Sequence, residues 1–362
     1  MYAHTGFAEA IRNIVFELYY KGCELSTVSH NGLSKNILRD PKGRIVYQYN
    51  RAQFKNAWPK VHIIMTIPMG VKPKNGGYRI GHVMFETQQT PKKYAESLMH
   101  YTDELWVPST FNKKNFAEAG YTKPIFVMPL GVDTDLYNPH KVKPLEIGAH
   151  GKFVFLFIAG WSERKGVSRL VEAYAKAFSA NDNTLLYMKG SWYPEVNAQK
   201  DVQDILNKIC GDDKPDVRID FGVYDNFTLP RLYKACDCFV LPSIGEGWGL
   251  PYTEAMSMAM PTIGTRATSQ VDFMNDDNSF LIDVEKYAPE PRVHWITPDY
   301  KDGVFAIPSV EHLQKLLRQV YEDRELAKKR GRQARQDMIK KYTWKKSVAK
   351  IYKRLKKLEA IL

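Results

Sequence analysis

Two glutamates, Glu246 and Glu254, flank a glycine-rich stretch with seven residues between them. The apolar run Cys236–Pro242, which has strand character, precedes them. A helical pattern, Tyr252–Met260, follows and is opened by Pro251 at a first-turn position. A strand, a glycine-rich turn and a helix start present free backbone N–H groups and the positive end of the helix dipole to an anion. Phosphates suit these amides, and ribose and sugar hydroxyls suit the carboxylates. A nucleotide sugar offers both.

A second turn, Gly160–Gly166, follows the predicted strand Phe153–Ala159 and directly precedes the predicted helix Val167–Phe178. Arg164 and Lys165 in this turn lie where cations reach phosphates that are held at a helix N-terminus. The alternative is a solvated basic pair at a surface turn. The pattern therefore predicts a second phosphate-binding element.

By spacing alone, the two glutamates would be two solvated charges. The letters around them, Gly-Glu-Gly-Trp-Gly-Leu-Pro and then Glu-Ala-Met, resemble the signature of retaining glycosyltransferases with the GT-B fold, in glycosyltransferase family 4. This resemblance implies that Glu246 lies by the donor sugar and that Glu254 binds the ribose. Lys165 matches the family's phosphate-binding lysine. Arg164 is a substitute candidate, because many members carry an arginine where this chain has Trp161.

The first half of the chain resembles the same family in the predicted strand Arg79–Thr87, in Asp-Glu-Leu-Trp-Val-Pro-Ser ending at Ser109, and in Pro-Leu-Gly-Val-Asp ending at Asp133. Ligands of open α/β sheets bind beyond the carboxyl ends of strands, so Glu86 would point into the cleft. Many members have a histidine near this place. His82, on the same predicted strand, is interpreted as a packed or hydrogen-bonded core residue.

Six further donor-binding candidates follow from the resemblance, and they are Gly247, Trp248, Gly249, Gly160, Tyr224 and Gly6. Tyr224 would border the nucleobase, and a packing tyrosine is the alternative. Gly6 matches a turn glycine of the family, and a plain helix-start residue before the predicted helix Phe7–Lys21 is the alternative.

Strand–helix alternation predicts an α/β protein with parallel, doubly wound sheets. We expect the GT-B arrangement, in which two Rossmann-like domains face a cleft and the C-terminal helix crosses back to the first domain. Residues 1–140 would form the acceptor domain, whose first strand is missing from the pattern, and residues 150–335 the donor domain. Residues 340–362 would form a basic amphipathic crossover helix. The segments Asn275–Asp283 and Trp295–Phe305 are interpreted as loops.

Composition narrows the class of protein. At 362 residues, with 44% hydrophobic and 25% charged residues, the chain fits two ordinary globular domains. The longest apolar run, Phe153–Ala159, is too short to cross a bilayer, and the N-terminus has no secretory pattern. The four cysteines show no zinc spacing, so we expect reduced thiols and a cytoplasmic protein. The formal net charge of +12 predicts an acidic partner such as a nucleotide, an anionic membrane or nucleic acid.

The tail from Val310 is predicted to be helical. Residues 340–362 carry nine basic side chains against one acidic side chain, beside one apolar stripe at helical spacing. One interpretation is that the stripe packs on the first domain. The other adds a basic face that meets anionic lipid headgroups and holds the protein at the membrane periphery. The two are compatible.

The resemblance implies a hexosyltransferase-type enzyme that moves a sugar from a nucleoside diphosphate sugar to a glycan, lipid-linked or protein-linked hydroxyl. It implies no cofactor, and the sequence shows no metal-ligand cluster. Two alternatives stay open. One is a non-catalytic nucleotide-sugar-binding protein of the same fold. The other is a DNA-modifying sugar transferase, although no aromatic-and-basic base-reading motif is present and much of the excess charge lies in the last helix.

Overall fold

The computed structural model describes residues 6–26, 42, 44–45, 60–71, 76–191, 197–293, 300 and 303–362. Its chain contacts divide into two compact units. Unit 1 takes its residues from Met1–Phe85, Thr90–Gly131 and Lys341–Leu362, and unit 2 from Glu86–Gln89 and Val132–Lys340.

Unit 1 is a parallel sheet with helices. The four strands of this sheet that lie in the described residues pair in the order β1-β2-β3-β4. The strands are β1 (Val61–Met65), β2 (Tyr78–His82), β3 (Glu104–Val107) and β4 (Ile125–Val127), and the helices are α1 (Gly6–Tyr20), α2 (Lys92–Tyr101), α3 (Thr110–Glu118) and, from the end of the chain, α10 (Trp344–Glu359).

The last helix packs inside unit 1, as the sequence predicts for a crossover helix. Its Arg354 donates to the fully buried carboxylate of Glu104 on β3, with Nε 3.1 Å from Oε2. Ser347 donates from Oγ to the carbonyl of Pro129. Gly131 has to be a glycine here, because a Cβ would lie 2.5 Å from the Trp344 backbone. The start and the middle of α10 are therefore fastened to the sheet of unit 1.

Strand β2 ends four residues before Glu86, so the predicted strand Arg79–Thr87 is too long. After His82 the backbone turns to α3, where the side chain of Asn112 accepts from the Phe85 amide at 2.7 Å and donates to the Phe85 carbonyl at 3.2 Å. His82 itself is fully buried, as expected of a core residue. Neither of its ring nitrogens has a hydrogen-bond partner among the described residues. Burial lowers the pKa of His82 to about 4.

Unit 2 holds a larger parallel sheet, whose strands in the described residues pair in the order β10-β9-β8-β5-β6-β7. Its strands are β5 (Phe153–Gly160), β6 (Thr184–Ser191), β7 (Asp216–Asp220), β8 (Cys238–Leu241), β9 (Thr262–Thr265) and β10 (Phe280–Ile282). Its helices are α4 (Val167–Ala177), α5 (Ala198–Cys210), α6 (Thr228–Lys234), α7 (Leu250–Ser257), α8 (Val310–Glu322) and α9 (Arg324–Lys341). These elements confirm the predicted α/β class with parallel sheets. The strand order reverses between β5 and β8, the kind of position at which open α/β sheets bind ligands.

Two loop predictions are wrong in part. Asn275–Asp283 contains β10, and Trp295–Phe305 runs into β12 (Val304–Pro308), although residues 294–299 and 301–302 lie outside the described residues. Strand β12 pairs with β11 (Val284–Pro289) as an antiparallel ribbon with a bulge. These strands are short, and β11 is largely exposed, so no buried apolar run marks it in the sequence.

Helix α7 ends at Ser257, earlier than the predicted Met260, because Ala259 adopts a left-handed φ of 56° that stops the helix. The predicted strand Glu24–Val28 is wrong in its described part, because residues 24–26 form no strand, and Val28 lies outside the described residues. Of the predicted strand Ile45–Tyr49, all but Ile45 lies outside the described residues. Within the described ranges, we find no helix with the length and apolar character that a membrane span requires.

Candidate functional site

The glycine-rich turn joins β8 to α7 at the carboxyl edge of the unit 2 sheet. Gly249 caps α7 with a left-handed φ of 95°, a conformation that few other residues adopt. A Cβ on Gly245 would lie 2.3 Å from the carbonyl oxygen of Glu86, so this glycine permits a close backbone contact. The amides of Gly247 and Gly249 donate to no described residue. The turn therefore offers two backbone donors beside the start of a helix.

The basic turn after β5 lies directly against the glycine-rich turn. Gly166 has a φ of 74°, and a Cβ there would lie 2.1 Å from the carbonyl oxygen of Pro242. The amide of Ile244 donates to the carbonyl of Arg164 at 2.9 Å, and Nη1 of Arg164 donates to the carbonyl of Gly245 at 2.8 Å. Three contacts thus join the two turns that the sequence singles out separately.

Four charged side chains of opposite sign alternate across these turns. Lys165 Nζ lies 2.6 Å from Glu246 Oε1, and Arg164 Nη1 lies 3.6 Å from the other oxygen of Glu246. Arg164 Nη1 is also 4.0 Å from Glu86 Oε1. Side-chain exposure is 18% for Glu86 and 15% or less for the other three, so these charges interact with little screening by water. The structure therefore brings together all four side chains that the sequence proposes for catalysis.

The electrostatics of this cluster favour ionised carboxylates. Burial raises the pKa of Glu246, but the charges of Lys165 and Arg164 outweigh burial, and the net shift is downward. Burial lowers the pKa of Lys165, and the charge of Glu246 offsets that effect in part. Glu246 thus serves as the counter-ion of both cations.

Glu254 lies one turn into α7, where the hydroxyl of Tyr233 on α6 donates to its Oε2 at 2.8 Å. Tyr224 lies beyond the end of β7 and donates from its hydroxyl to Asp220 at 2.6 Å. Gly160 is the last residue of β5. The other three candidates each have a plain position: the side chain of Trp248 is buried against Phe273, Gly247 lies in the glycine-rich turn, and Gly6 begins α1 in unit 1.

Several residues that fix the turns have no signal in the sequence. Ser269 donates from Oγ to the carbonyls of Glu246 (2.8 Å) and Trp248 (3.0 Å). Thr268 accepts from the Glu246 amide at 3.2 Å and holds a left-handed φ of 57°, which is strained for a β-branched residue. Tyr300 donates from its hydroxyl to Glu86. Each contacts a residue at least 21 positions away along the chain, so local pattern could not identify it.

A partly buried ion network contacts the basic turn. Glu290, at the end of β11, accepts from Arg169 on α4 at 2.7 Å and from Arg292 at 2.9 Å. Arg292 also lies 3.3 Å from Glu163, the residue just before Arg164. Burial alone would raise the pKa of Glu290. The two arginines outweigh burial and lower this pKa to about 2. The network joins both flanks of the basic turn to the β11 end.

No group of three or more His, Cys, Asp or Glu side chains that could hold a metal ion occurs within the described part of the chain. Its four cysteines carry free thiols. The site presents cations and backbone amides, which donate to phosphates, and carboxylates, which accept from hydroxyls.

Sequence comparisons find glycosyltransferases. Residues 145–290 match the family model of glycosyl transferases group 1. A 55-residue segment is 42% identical to O-antigen chain mannosyltransferase B of Escherichia coli, and covers 15% of this chain and 14% of that protein. A 111-residue segment is 29% identical to an uncharacterized glycosyltransferase of Methanocaldococcus jannaschii, and covers 30% of this chain and 26% of that protein. The matched segments thus span about a seventh and a quarter of these relatives.

Solved structures share the fold over nearly the whole chain. Sucrose-phosphate synthase from Thermosynechococcus elongatus aligns with a TM-score of 0.70 at 13% identity, over 99% of this chain and 94% of that one. A glycosyltransferase from Rickettsia africae aligns with a TM-score of 0.68 at 17% identity, over 99% and 96%. HepE from Anabaena, solved in complex with UDP and glucose, aligns with a TM-score of 0.62 at 15% identity, over 78% and 72%. The chain therefore has the α/β fold of the GT-B glycosyltransferases, and its residues 145–290 are similar to glycosyl transferases group 1.

Proposed function

We propose that this chain is a retaining glycosyltransferase of family 4, which transfers a hexose from a nucleoside diphosphate sugar to a hydroxyl acceptor. The observation that carries the proposal is the junction of the two turns, where Lys165, Arg164 and Glu246 meet. This junction lies at the carboxyl edge between β5 and β8, where open α/β sheets bind ligands. The UDP and UDP-glucose complexes of HepE support a nucleotide sugar as the donor.

The diphosphate would bind by replacing the Glu246 carboxylate at the two cations. In the structure, Glu246 neutralises Lys165 and Arg164. A diphosphate that approaches the free amides of Gly247 and Gly249 competes with that carboxylate for the two cations. Displaced from the cations, Glu246 can accept from the hydroxyls of the donor sugar, while Glu254 accepts from the ribose.

The proposed reaction breaks one bond and forms one bond at the anomeric carbon. The bond between the anomeric carbon and the diphosphate oxygen breaks, and the acceptor oxygen bonds to that carbon from the same face. The acceptor proton passes to the leaving diphosphate. Lys165, Arg164 and the turn amides stabilise the charge that grows on this diphosphate, and preorganised donors of this kind contribute strongly in sites with little water. The scheme uses no metal ion or other cofactor.

A screen of UDP-, GDP-, ADP- and dTDP-sugars tests the proposal, with thermal stabilisation and slow hydrolysis measured in parallel. We expect one donor to raise the melting temperature and to be hydrolysed, and its released sugar to keep the donor's anomeric configuration on first formation. Stabilisation without hydrolysis or transfer would favour a non-catalytic binding protein. If no nucleotide sugar stabilises the protein, the proposal is wrong.

The two carboxylates should differ in such a protein. Because Glu254 is assigned to the ribose, Glu254→Ala should weaken binding of the bare nucleoside diphosphate by about 1.5–3 kcal/mol, the range for hydrogen bonds to charged groups. Glu246→Ala should act mainly on turnover and on donor-sugar choice. Calorimetry with the nucleoside diphosphate separates the two, and equal losses would contradict this division of roles.

Peripheral attachment to an anionic membrane belongs to the same proposal, with a lipid-linked or surface glycan as the acceptor. Six exposed lysines of α10 fall within an arc of about 140° at 100° per residue, and they are Lys345, Lys346, Lys350, Lys353, Lys356 and Lys357. The buried side of α10 carries Trp344, Val348, Ile351 and Leu358, which pack on unit 1 and are not available to lipid. The helix would therefore attach by charge.

Vesicle sedimentation checks the membrane proposal. Each lysine near an anionic surface contributes about 1 kcal/mol, and this contribution falls as salt shortens the Debye length. We expect binding to vesicles that contain phosphatidylserine at low salt, and release at high salt. Reversing Lys346, Lys350 and Lys353 to glutamate should abolish binding, whereas the same change at exposed Lys200, Lys208 and Lys234 of unit 2 should not. Binding that ignores lipid charge would contradict the proposal.

A further inference from the structure

Glu254 has a buried partner that the sequence motif does not contain. Tyr233 lies on α6, 21 positions before Glu254 in the chain, and its side chain is 1% exposed. Its hydroxyl lies 2.8 Å from Glu254 Oε2 and 3.3 Å from the carbonyl oxygen of Pro251, in the first turn of α7. Because the carboxylate is closer and charged, the hydroxyl proton is directed to Glu254.

The ring of Tyr233 is held from several sides. Tyr137 packs edge-on against it, with ring centroids 5.7 Å apart, and Phe239 of β8 lies at 6.0 Å. The carbonyl of Tyr137 accepts from Ser257 at the end of α7, so the ring that supports Tyr233 is tied to the helix that carries Glu254. Tyr233 therefore has little freedom to leave its position.

Tyr233 is built to donate. Burial raises the pKa of its hydroxyl well above the ordinary value, and the charge of Glu254 raises it further, so the phenol stays protonated at any working pH. A carboxylate has about four acceptor sites. The bond from Tyr233 restrains the orientation of the carboxylate and uses one of these sites.

We propose that Tyr233 is a positioning residue, which orients Glu254 to accept from the vicinal diol of a ribonucleotide. This inference rests on the proposed function, since it acts through the nucleotide site. Loss of this bond leaves the carboxylate less restrained before the ligand arrives, and ordering it at that moment weakens binding. The contribution of Tyr233 should therefore appear only for ligands that carry ribose hydroxyls.

Calorimetry of Tyr233→Phe provides the test, since phenylalanine keeps the ring and removes only the hydroxyl. The probes are UDP and GDP, each beside its 2′,3′-dideoxy counterpart. We expect Tyr233→Phe to weaken binding of the ribonucleotide about tenfold, as for loss of one hydrogen bond to a charged group. Binding of the dideoxy counterpart should be unchanged. In a Glu254→Ala background, Tyr233→Phe should have no further effect on the ratio of the two affinities.

Tyr174→Phe is the matched control, because this buried tyrosine of unit 2 donates to Thr184 at 2.9 Å, away from the turns. It should lower thermal stability but leave the ribo-to-dideoxy ratio as in the wild type. If Tyr233→Phe weakens both ligands equally, or neither, its role is structural and the inference is wrong while the proposed function stands. If the wild type binds no nucleoside diphosphate, the proposed function is wrong and this inference with it.

Discussion

Replacing Arg354 with methionine would remove the cation that pairs with a carboxylate buried in unit 1. Glu104 is 0% exposed, and Arg354 reaches it with two nitrogens, Nε and Nη2. The guanidinium also lies over the ring of Phe126, 4.4 Å from the ring centroid. Methionine keeps much of the aliphatic contact, so the change isolates the charge.

The expected cost follows from what is left behind. Breaking a buried ion pair from one side typically costs about 3–5 kcal/mol, because the remaining charge stays buried. Two donors to the carboxylate remain, the Trp106 indole at 2.7 Å and the Tyr78 hydroxyl at 3.1 Å. We therefore expect a loss at the lower end of that range, about 3 kcal/mol.

Hydrogen exchange of peptides from β3 and α10 reports this loss locally and does not require the two units to unfold together. Lys356→Met is the control, since this lysine is exposed and pairs with Glu359 three residues away on the same helix, and it should change nothing measurable. Arg354→Met combined with Glu104→Leu should recover much of the protection. Unchanged exchange in Arg354→Met, or an equal loss in Lys356→Met, would refute the reasoning.

Three further outcomes are expected. Lys165→Ala should slow sugar transfer by about 10²–10³, as for loss of one preorganised donor, whereas Lys176→Ala on the exposed face of α4 should not, and unchanged turnover would remove Lys165 from the site. The low pKa of His82, about 4, means that the unfolded chain binds a proton first, so stability present above pH 6.5 should fall by about 3 kcal/mol between pH 6.5 and pH 4. Urea titrations of His82→Phe should lack that fall. Because the pKa of Glu290 is about 2 in the folded protein, below the ordinary value of 4.5, its carboxylate stabilises the fold above pH 4.5, and this stability is lost between pH 4.5 and pH 2. Glu290→Gln should lower the melting temperature at pH 7 and raise KM for the donor.

The sequence predicts most of unit 2 because its parallel strands are buried on both faces and read as short apolar runs between turn signals. The apolar run Cys236–Pro242 contains β8, and the predicted helix start at Val167 is confirmed to the residue. The strand–turn–helix pattern also places Lys165 and Glu246 at one sheet edge, because the carboxyl ends of adjacent parallel strands meet there. Topology thus follows from local periodicity in this unit.

What local pattern cannot show is a contact between distant residues. Tyr300 reaches Glu86 across 214 positions of the chain, and nothing about an isolated tyrosine indicates that contact. The charge pattern includes Arg354 among the basic side chains of the last helix, but Arg354 pairs with Glu104, 250 positions away. Charge patterning identifies a basic helix, whereas only tertiary structure shows which of its charges are already committed to a carboxylate.

Because unit 1 is built from discontinuous segments of the chain, it cannot fold completely until synthesis ends. Its sheet is encoded in the first part of the chain, yet the helix that covers Glu104 and Pro129 is translated after all of unit 2. Domains encoded as one stretch fold as they emerge from the ribosome. Here unit 2 is synthesised before Arg354, so Glu104 of the nascent first unit lacks the guanidinium with which it pairs in the finished protein. A ribosome that stalls before the last helix would release a protein with one finished unit and one that chaperones and proteases recognise.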